Sequence, residues 1–484
     1  MRSRGCCFLP WLFVLGCSTS ADESVSPIGM QLSAARADVL ETLRALPGIA
    51  NVDESGSTGG VRGFTFTIEQ PIDHSQPALG TFTMRVQLRH RGESAPTVLS
   101  STGYSLFTRS PNDSEPSYLL DANAVAVEHR FFSDSTPLAG ADGEPPADAW
   151  QYMTVKQAAE DNHHLIETLK QIYSGPWIST GASKGGQTSI YHYRHHPEDL
   201  VGVVAYVAPH SYGSNDPRYV DFLEHVGEAS CREKLIALQR AVLMQRSETF
   251  PRFQSQANSQ GLTFDAVGIE AAFEHVVQDF RVAFWQYGSA SECDGLPGPG
   301  ASAATLLSAI TDRVPLNLGA DQNIRTVSQF ETYYYQAAVE LGQYGPMEEH
   351  LEDLLQHRGT YTMENYAPQV PTNMFNPATM IDVGAWVKTR AEHIIFVYGE
   401  IDPWTAGAYE YDPSHDIHAF VVPGANHGAS LTDRALPAAS RELALKILER
   451  WTGVTPRSLD EETMSLKAQG QAPFFHLPPQ HLRL

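Results

Sequence analysis

The chain has 484 residues, 42% of them apolar, and a formal net charge of −23. Length and composition allow two or three domains and a sizeable core, the profile of an ordinary globular protein. The acidic balance argues against a nucleic-acid partner, because phosphate binding needs basic patches and the lysines and arginines here do not cluster.

Arg2 and Arg4 precede an apolar run from Cys6 to Leu15, which ends in Val14-Leu-Gly-Cys17. Such a run is a secretory signal, too short to span a bilayer. A small residue before a cysteine at its end reads as a lipobox, with Cys17 lipidated and the polar residues after it as a tether; a plain signal peptide is the alternative. The chain is therefore expected to be exported and to touch a membrane only through a lipid anchor. Residues 1–17 form the leader, and 18–60 a tether with one docking helix over Ser33 to Ala45.

From Val61 the pattern changes. Val61–Glu69 and Gly80–Leu88 alternate apolar and polar residues around a proline-bearing turn, which predicts a hairpin. Short apolar strands follow at Ala95–Ser100, Ala124–Glu128, Trp177–Thr180 and Val201–Val207, with a helix from Thr154 to Ile172. Alternating strands and helices predict an α/β fold with a mostly parallel sheet covered on both faces. Residues 61–211 form its first part. From 212 to 379 only helical periods and loops appear, which predicts an inserted helical cap. Strands return at His393–Tyr398 and Ile417–Val422, a helix runs from Arg434 to Trp451, and residues 380–454 complete the sheet. Residues 455–484 read as a loose tail.

The chemistry centres on Trp177-Ile-Ser-Thr-Gly-Ala-Ser-Lys-Gly-Gly186, a strand running into Gly181-x-Ser183-x-Gly185 and then a helix. In a nucleophile elbow the serine stands at a strained corner, and small neighbours let the backbone turn there. A serine hydroxyl is a weak nucleophile at neutral pH, so it needs a histidine to take its proton and an acid to hold the histidine. In the alpha/beta-hydrolase layout these follow in the order serine, acid, histidine, each after a later strand. The loop Gly399-Glu-Ile-Asp-Pro-Trp404 offers Asp402, with Glu400 as the rival acid, and Pro423-Gly-Ala-Asn-His427 offers His427. An oxyanion hole needs two backbone N–H groups, expected from Lys184 and from the Gly103-Tyr104 loop. His192, His195 and His196 carry helical spacing but no metal-binding motif, so no metal or other cofactor is expected. Tyr333-Tyr-Tyr335 fits either core packing or a substrate wall.

Five cysteines reduce to Cys231 and Cys293 once the leader is set aside, and export favours one disulfide stapling the cap over two separate buried thiols.

Trp150–Asp161, Trp177–Gly186, Val204–Pro209, Glu128-His-Arg-Phe-Phe132, Tyr335-Gln336 with Gly342, and Asp402-Pro-Trp404 together resemble the secreted bacterial prolyl tri/tetrapeptidyl aminopeptidases. The resemblance runs from about Val61 to Trp451. Related lysosomal Pro-Xaa carboxypeptidases and dipeptidyl peptidases share several of these stretches but typically carry Gly-Gly-Ser-Tyr-Gly-Gly at the elbow, so Lys184 tips the choice. The resemblance implies an alpha/beta-hydrolase-fold serine peptidase that acts on peptides, cuts after proline and releases short fragments from free N-termini. Ser183, Asp402 and His427 take the triad roles. Such an enzyme needs a rigid aromatic slot for proline, for which Trp404 is the candidate wall. It also needs carboxylates for the substrate ammonium group, for which Glu128 and Glu340 are the candidates. A Pro-Xaa carboxypeptidase or dipeptidyl-peptidase-like enzyme, or an esterase or lipase on the same scaffold, is the alternative; oligomeric state is not legible.

Overall fold

The computed structural model describes residues 38–458, apart from 59, 107, 109, 328, 329 and 368–373. The leader, Cys17 and most of the tail fall outside the described residues. Of the docking helix, Val39–Ala45 is described and is helical.

Nine strands form one sheet: β1 (Ile49–Thr58), β2 (Val61–Pro71), β3 (Thr81–His90), β4 (Thr97–Ser101), β5 (Asn123–Val127), β6 (Trp177–Ala182), β7 (Gly202–Tyr206), β8 (Ile394–Gly399) and β9 (Ile417–Val422). Their spatial order is β1-β2-β3-β5-β4-β6-β7-β8-β9. The pairs β1·β2, β2·β3 and β3·β5 are antiparallel, and β5, β4, β6, β7, β8 and β9 run parallel. This is an alpha/beta-hydrolase fold.

The expected hairpin is β2 and β3, where Phe64, Phe66 and Ile68 point inward and alternate with more exposed residues. β7 and β8 are buried at every position, as befits parallel strands covered on both faces. The two helices nearest the elbow, Val155–Leu169 and Lys184–His195, start from a capping Thr154 and from Ser183 itself.

One expectation is corrected. The stretch before Val61 is not tether but β1, an edge strand hydrogen-bonded to β2 with two register shifts. It carries few buried side chains, so no alternation marks it.

Between β7 and β8 the described residues are helices and loops. Their central element is Ile269–Tyr287, buried along almost its whole length. A helix apolar on most sides belongs inside a core, and here Phe273, Val276, Phe280 and Phe284 pack against neighbouring cap helices. Each such buried side chain contributes about 1.5–3 kcal/mol of transfer free energy. Cys231 and Cys293 are disulfide-bonded with Cα atoms 5.5 Å apart, which joins the helix Ala229–Met244 to the turn Ala290–Gly295.

Candidate active site

β6 delivers Ser183 at φ 55° and ψ −126°, a conformation that serine adopts only under constraint. Its amide donates to the Tyr206 carbonyl at 2.9 Å, and its carbonyl accepts from Gln187 to start the following helix. The elbow is pressed against the loop after β4. A Cβ on Gly185 would stand 2.3 Å from the Ser101 carbonyl oxygen, and one on Gly103, at φ +73°, 2.6 Å from the Gly185 nitrogen. Only glycine admits that approach.

β8 ends at Gly399 and β9 at Val422, and the loops beyond them meet. His427 Nδ1 lies 2.7 Å from Asp402 Oδ2, with both side chains buried. The other oxygen, Asp402 Oδ1, accepts from the Trp404 amide at 3.1 Å, so the carboxylate is held at both ends. Glu400 turns the other way and accepts from the Gly424 amide. The acid that meets the imidazole is therefore Asp402. The cap reaches this loop too: the His427 amide donates to the Gln286 carbonyl at 3.0 Å, and Asn426 donates to Gly288.

Ser183 and His427 line one cavity together with Thr102, Tyr104, Phe330, Tyr333, Leu341 and Trp404. Tyr104, Tyr287, Phe330, Tyr333 and Trp404 supply aromatic faces, which suit a flat, rigid apolar group, and Thr102, Gln187, Ser211 and Gln286 supply polar ones.

As the first helical residue after Ser183, Lys184 has an N–H with no partner inside the helix, so it is free to face developing negative charge. Its side chain is buried, donates from Nζ to the Gly103 carbonyl at 2.8 Å and lies over the rings of Tyr104 and Phe132. Burial pulls the Lys184 ammonium down to about 7, with the Glu340 carboxylate opposing the shift. Tyr104 departs from expectation. Its backbone N–H faces Thr102 Oγ1 at 3.3 Å, whereas its phenol, kept protonated by burial, is hydrogen-bonded to the Ser183 side chain.

Neither expected amine-binding carboxylate lines this cavity. Glu128 accepts from the Leu106 amide and the Ser135 hydroxyl, each at 2.8 Å. Glu340 accepts from the Val155 amide at 2.8 Å and from Thr379 at 2.9 Å. Both are consumed in fixing loops. The need for an ammonium-binding carboxylate suggested them, and nothing in the sequence reveals these donors.

On the far side of the helix Lys184–His195, His163 and His196 stack at 4.0 Å while His163 and His192 both bond Asp199. Among the described residues His163, His196 and Glu198, and likewise His163, Glu167 and Asp199, bring potential ligand atoms within 4.8 Å of one another.

Residues 33–474 match the PS-10 peptidase S37 family. The chain belongs to that family. It is a serine peptidase, and the resemblance drawn from the elbow and its companion stretches is borne out. The peptidase is 35% identical, over 94% of its own length and 92% of the relative, to the prolyl tri/tetrapeptidyl aminopeptidase of Streptomyces mobaraensis. It is 32% identical to the lysosomal Pro-X carboxypeptidase of Mus musculus over 19% of each chain. Among solved structures it is similar to an epoxide hydrolase from an endophytic Streptomyces, at 14% identity and a TM-score of 0.37 over 82% of this chain and 98% of that one. A proline iminopeptidase of Mycobacterium smegmatis is similar at 14% identity and a TM-score of 0.31, over 80% and 98%. Among the described residues no helix is long and apolar enough to cross a membrane.

Proposed function

We propose that this serine peptidase is a proline-specific exopeptidase that releases tri- and tetrapeptides from free N-termini. The observation that carries the reading is the shared cavity in which Ser183, the Asp402-bonded His427 and an aromatic wall converge. The specificity of the Streptomyces relative supports the choice of substrate.

In this reading His427 takes the proton of Ser183 as the hydroxyl attacks the carbonyl of a proline residue, while Asp402 holds the imidazole and stabilises its cation. The tetrahedral oxyanion accepts from the Lys184 N–H and from Tyr104, whose phenol already stands at the nucleophile. His427 then protonates the departing amine, and water resolves the acyl-enzyme by the same route in reverse. Trp404, Tyr333 and Phe330 grip the proline ring. The cavity is about 40 Å³, far below the several hundred Å³ of ordinary ligand pockets, so a peptide enters only when cap and core part.

The N-terminal leader and its Cys17 lipobox support export with a lipid anchor, and a disulfide between Cys231 and Cys293 accords with an oxidising compartment.

A peptide-library digest read by mass spectrometry tests the activity. Fragments of three or four residues ending in proline are expected from free N-termini. Cleavage at other residues, or hydrolysis of simple esters without peptide turnover, would refute the reading.

A further inference from the structure

An exopeptidase of this kind must seat an ammonium group at a fixed reach from its nucleophile. With Glu128 and Glu340 occupied elsewhere, we infer that Asp279, on the central cap helix, receives the terminal ammonium of the substrate and thereby sets the length released. This rests on the exopeptidase reading above.

Asp279 is 3% exposed, and both of its hydrogen bonds fall on one oxygen: Oδ1 accepts from the hydroxyls of Tyr344 at 2.8 Å and Tyr361 at 2.9 Å. Among the described residues no lysine, arginine or histidine is paired with it. A buried carboxylate is costly without a cation beside it, and proteins nearly always provide one. Here the site supplies rings instead. Tyr333, Tyr334, Tyr344, Tyr361 and Tyr366 all lie within the field of Asp279, a setting in which an ammonium gains from the aromatic faces as well as from the carboxylate. Burial raises the Asp279 carboxyl above its ordinary range, and an arriving ammonium would restore the ionised form.

The position fits the substrate. Gln286 lines the Ser183 cavity, and Asp279 lies seven residues earlier on the helix Ile269–Tyr287. Residues i and i+7 share a face and stand about 10 Å apart along the axis. An extended peptide advances about 3.3 Å per residue, so three or four residues span about 10–13 Å. Two aromatic rings link the two points. Trp404 lines the cavity, its ring lies 5.6 Å from that of Tyr344, and the Tyr344 hydroxyl holds Asp279. Trp404 follows β8, whereas Asp279, Tyr344 and Tyr361 all lie between β7 and β8, so a peptide N-terminus reaches Asp279 by displacing the Tyr344 ring from Trp404.

The test compares a tripeptide amide ending in proline with its N-acetylated form, using the full-length protein. Wild type is expected to prefer the free amine at least tenfold in kcat/KM. Asp279→Asn should abolish that preference by slowing only the free-amine substrate, and turnover of the acetylated one reports a folded site. Asp279→Glu, which keeps the charge, should retain the preference and, on a longer peptide with proline at its third and fourth positions, shift the ratio of tri- to tetrapeptide released. An unchanged preference in Asp279→Asn would overturn the inference and leave a structural acid, as would loss of preference in Asp279→Glu. Failure of wild type to cleave the free-amine substrate would instead sink the exopeptidase reading itself.

Discussion

The ammonium of Lys184 and the carbonyl of Gly103 are 2.8 Å apart, and that bond ties the nucleophile elbow to the loop presenting Tyr104. The lysine lies two rings deep in the core, over Tyr104 and Phe132, where a methionine would fill similar volume but leave the carbonyl unpaired. On the proposed mechanism, in which Tyr104 on this loop donates to the oxyanion, Lys184→Met is expected to lower kcat about 10–100-fold with a smaller change in KM. The variant should also alter the pH profile of stability. With a folded value near 7 and an unfolded one about 10.4, wild type binds fewer protons folded than unfolded in that window, so this residue makes stability rise with pH there. Melting temperatures between pH 7 and 9.5 should climb less steeply in Lys184→Met; an unchanged slope would show the residue is not titrating.

Strain at Ser183 gives a second expectation. A serine held at φ 55° and ψ −126° costs about 1–3 kcal/mol that glycine does not incur. Ser183→Gly should therefore be more stable than wild type while losing at least a thousandfold in peptide turnover. Denaturant unfolding of the two proteins measures the first effect, and a less stable variant would show that the corner is not strained.

The Glu-His-Arg stretch has a structural office. Arg130 is fully buried, bonds Asp161 through two nitrogens at 2.6 and 2.7 Å, and donates to the carbonyls of Ile72 and Tyr152. It thus pins the hairpin turn to the helix Val155–Leu169. Asp161→Asn leaves a buried guanidinium uncompensated and should cost about 3–5 kcal/mol in global unfolding. Activity per folded molecule should change little, since neither residue lines the Ser183 cavity.

Glu144 and Glu331 form a hydrogen-bonded carboxyl pair. Burial first, and then the charge of Glu144, push the Glu331 carboxyl well above its ordinary range. The folded state consequently holds a proton that the unfolded chain has released, so the pair's contribution is complete below about pH 4.3 and is lost as pH rises through the raised value. Glu331→Gln should gain stability relative to wild type on moving from pH 5 to pH 8, read as the difference in melting temperature. An equal difference at both pH values would contradict the shared proton.

The amino-acid order determined what local patterns encode. Alternation in Val61–Pro71 and Thr81–His90 specifies a half-buried hairpin, and the glycines around Ser183 specify a sharp corner, because each depends only on neighbours along the backbone. The order of the loops bearing Ser183, Asp402 and His427 follows from the strands that precede them. Folding alone decided what depends on distant partners. β1 is polar and holds its place through hydrogen bonds to β2 rather than through buried side chains. Glu340 looked available until Val155, 185 residues away, proved to occupy it. Asp279 carries no mark in the sequence, and only packing set it against the hydroxyls of Tyr344 and Tyr361. A carboxylate's role is set by the charges and donors around it, and those are brought together by packing.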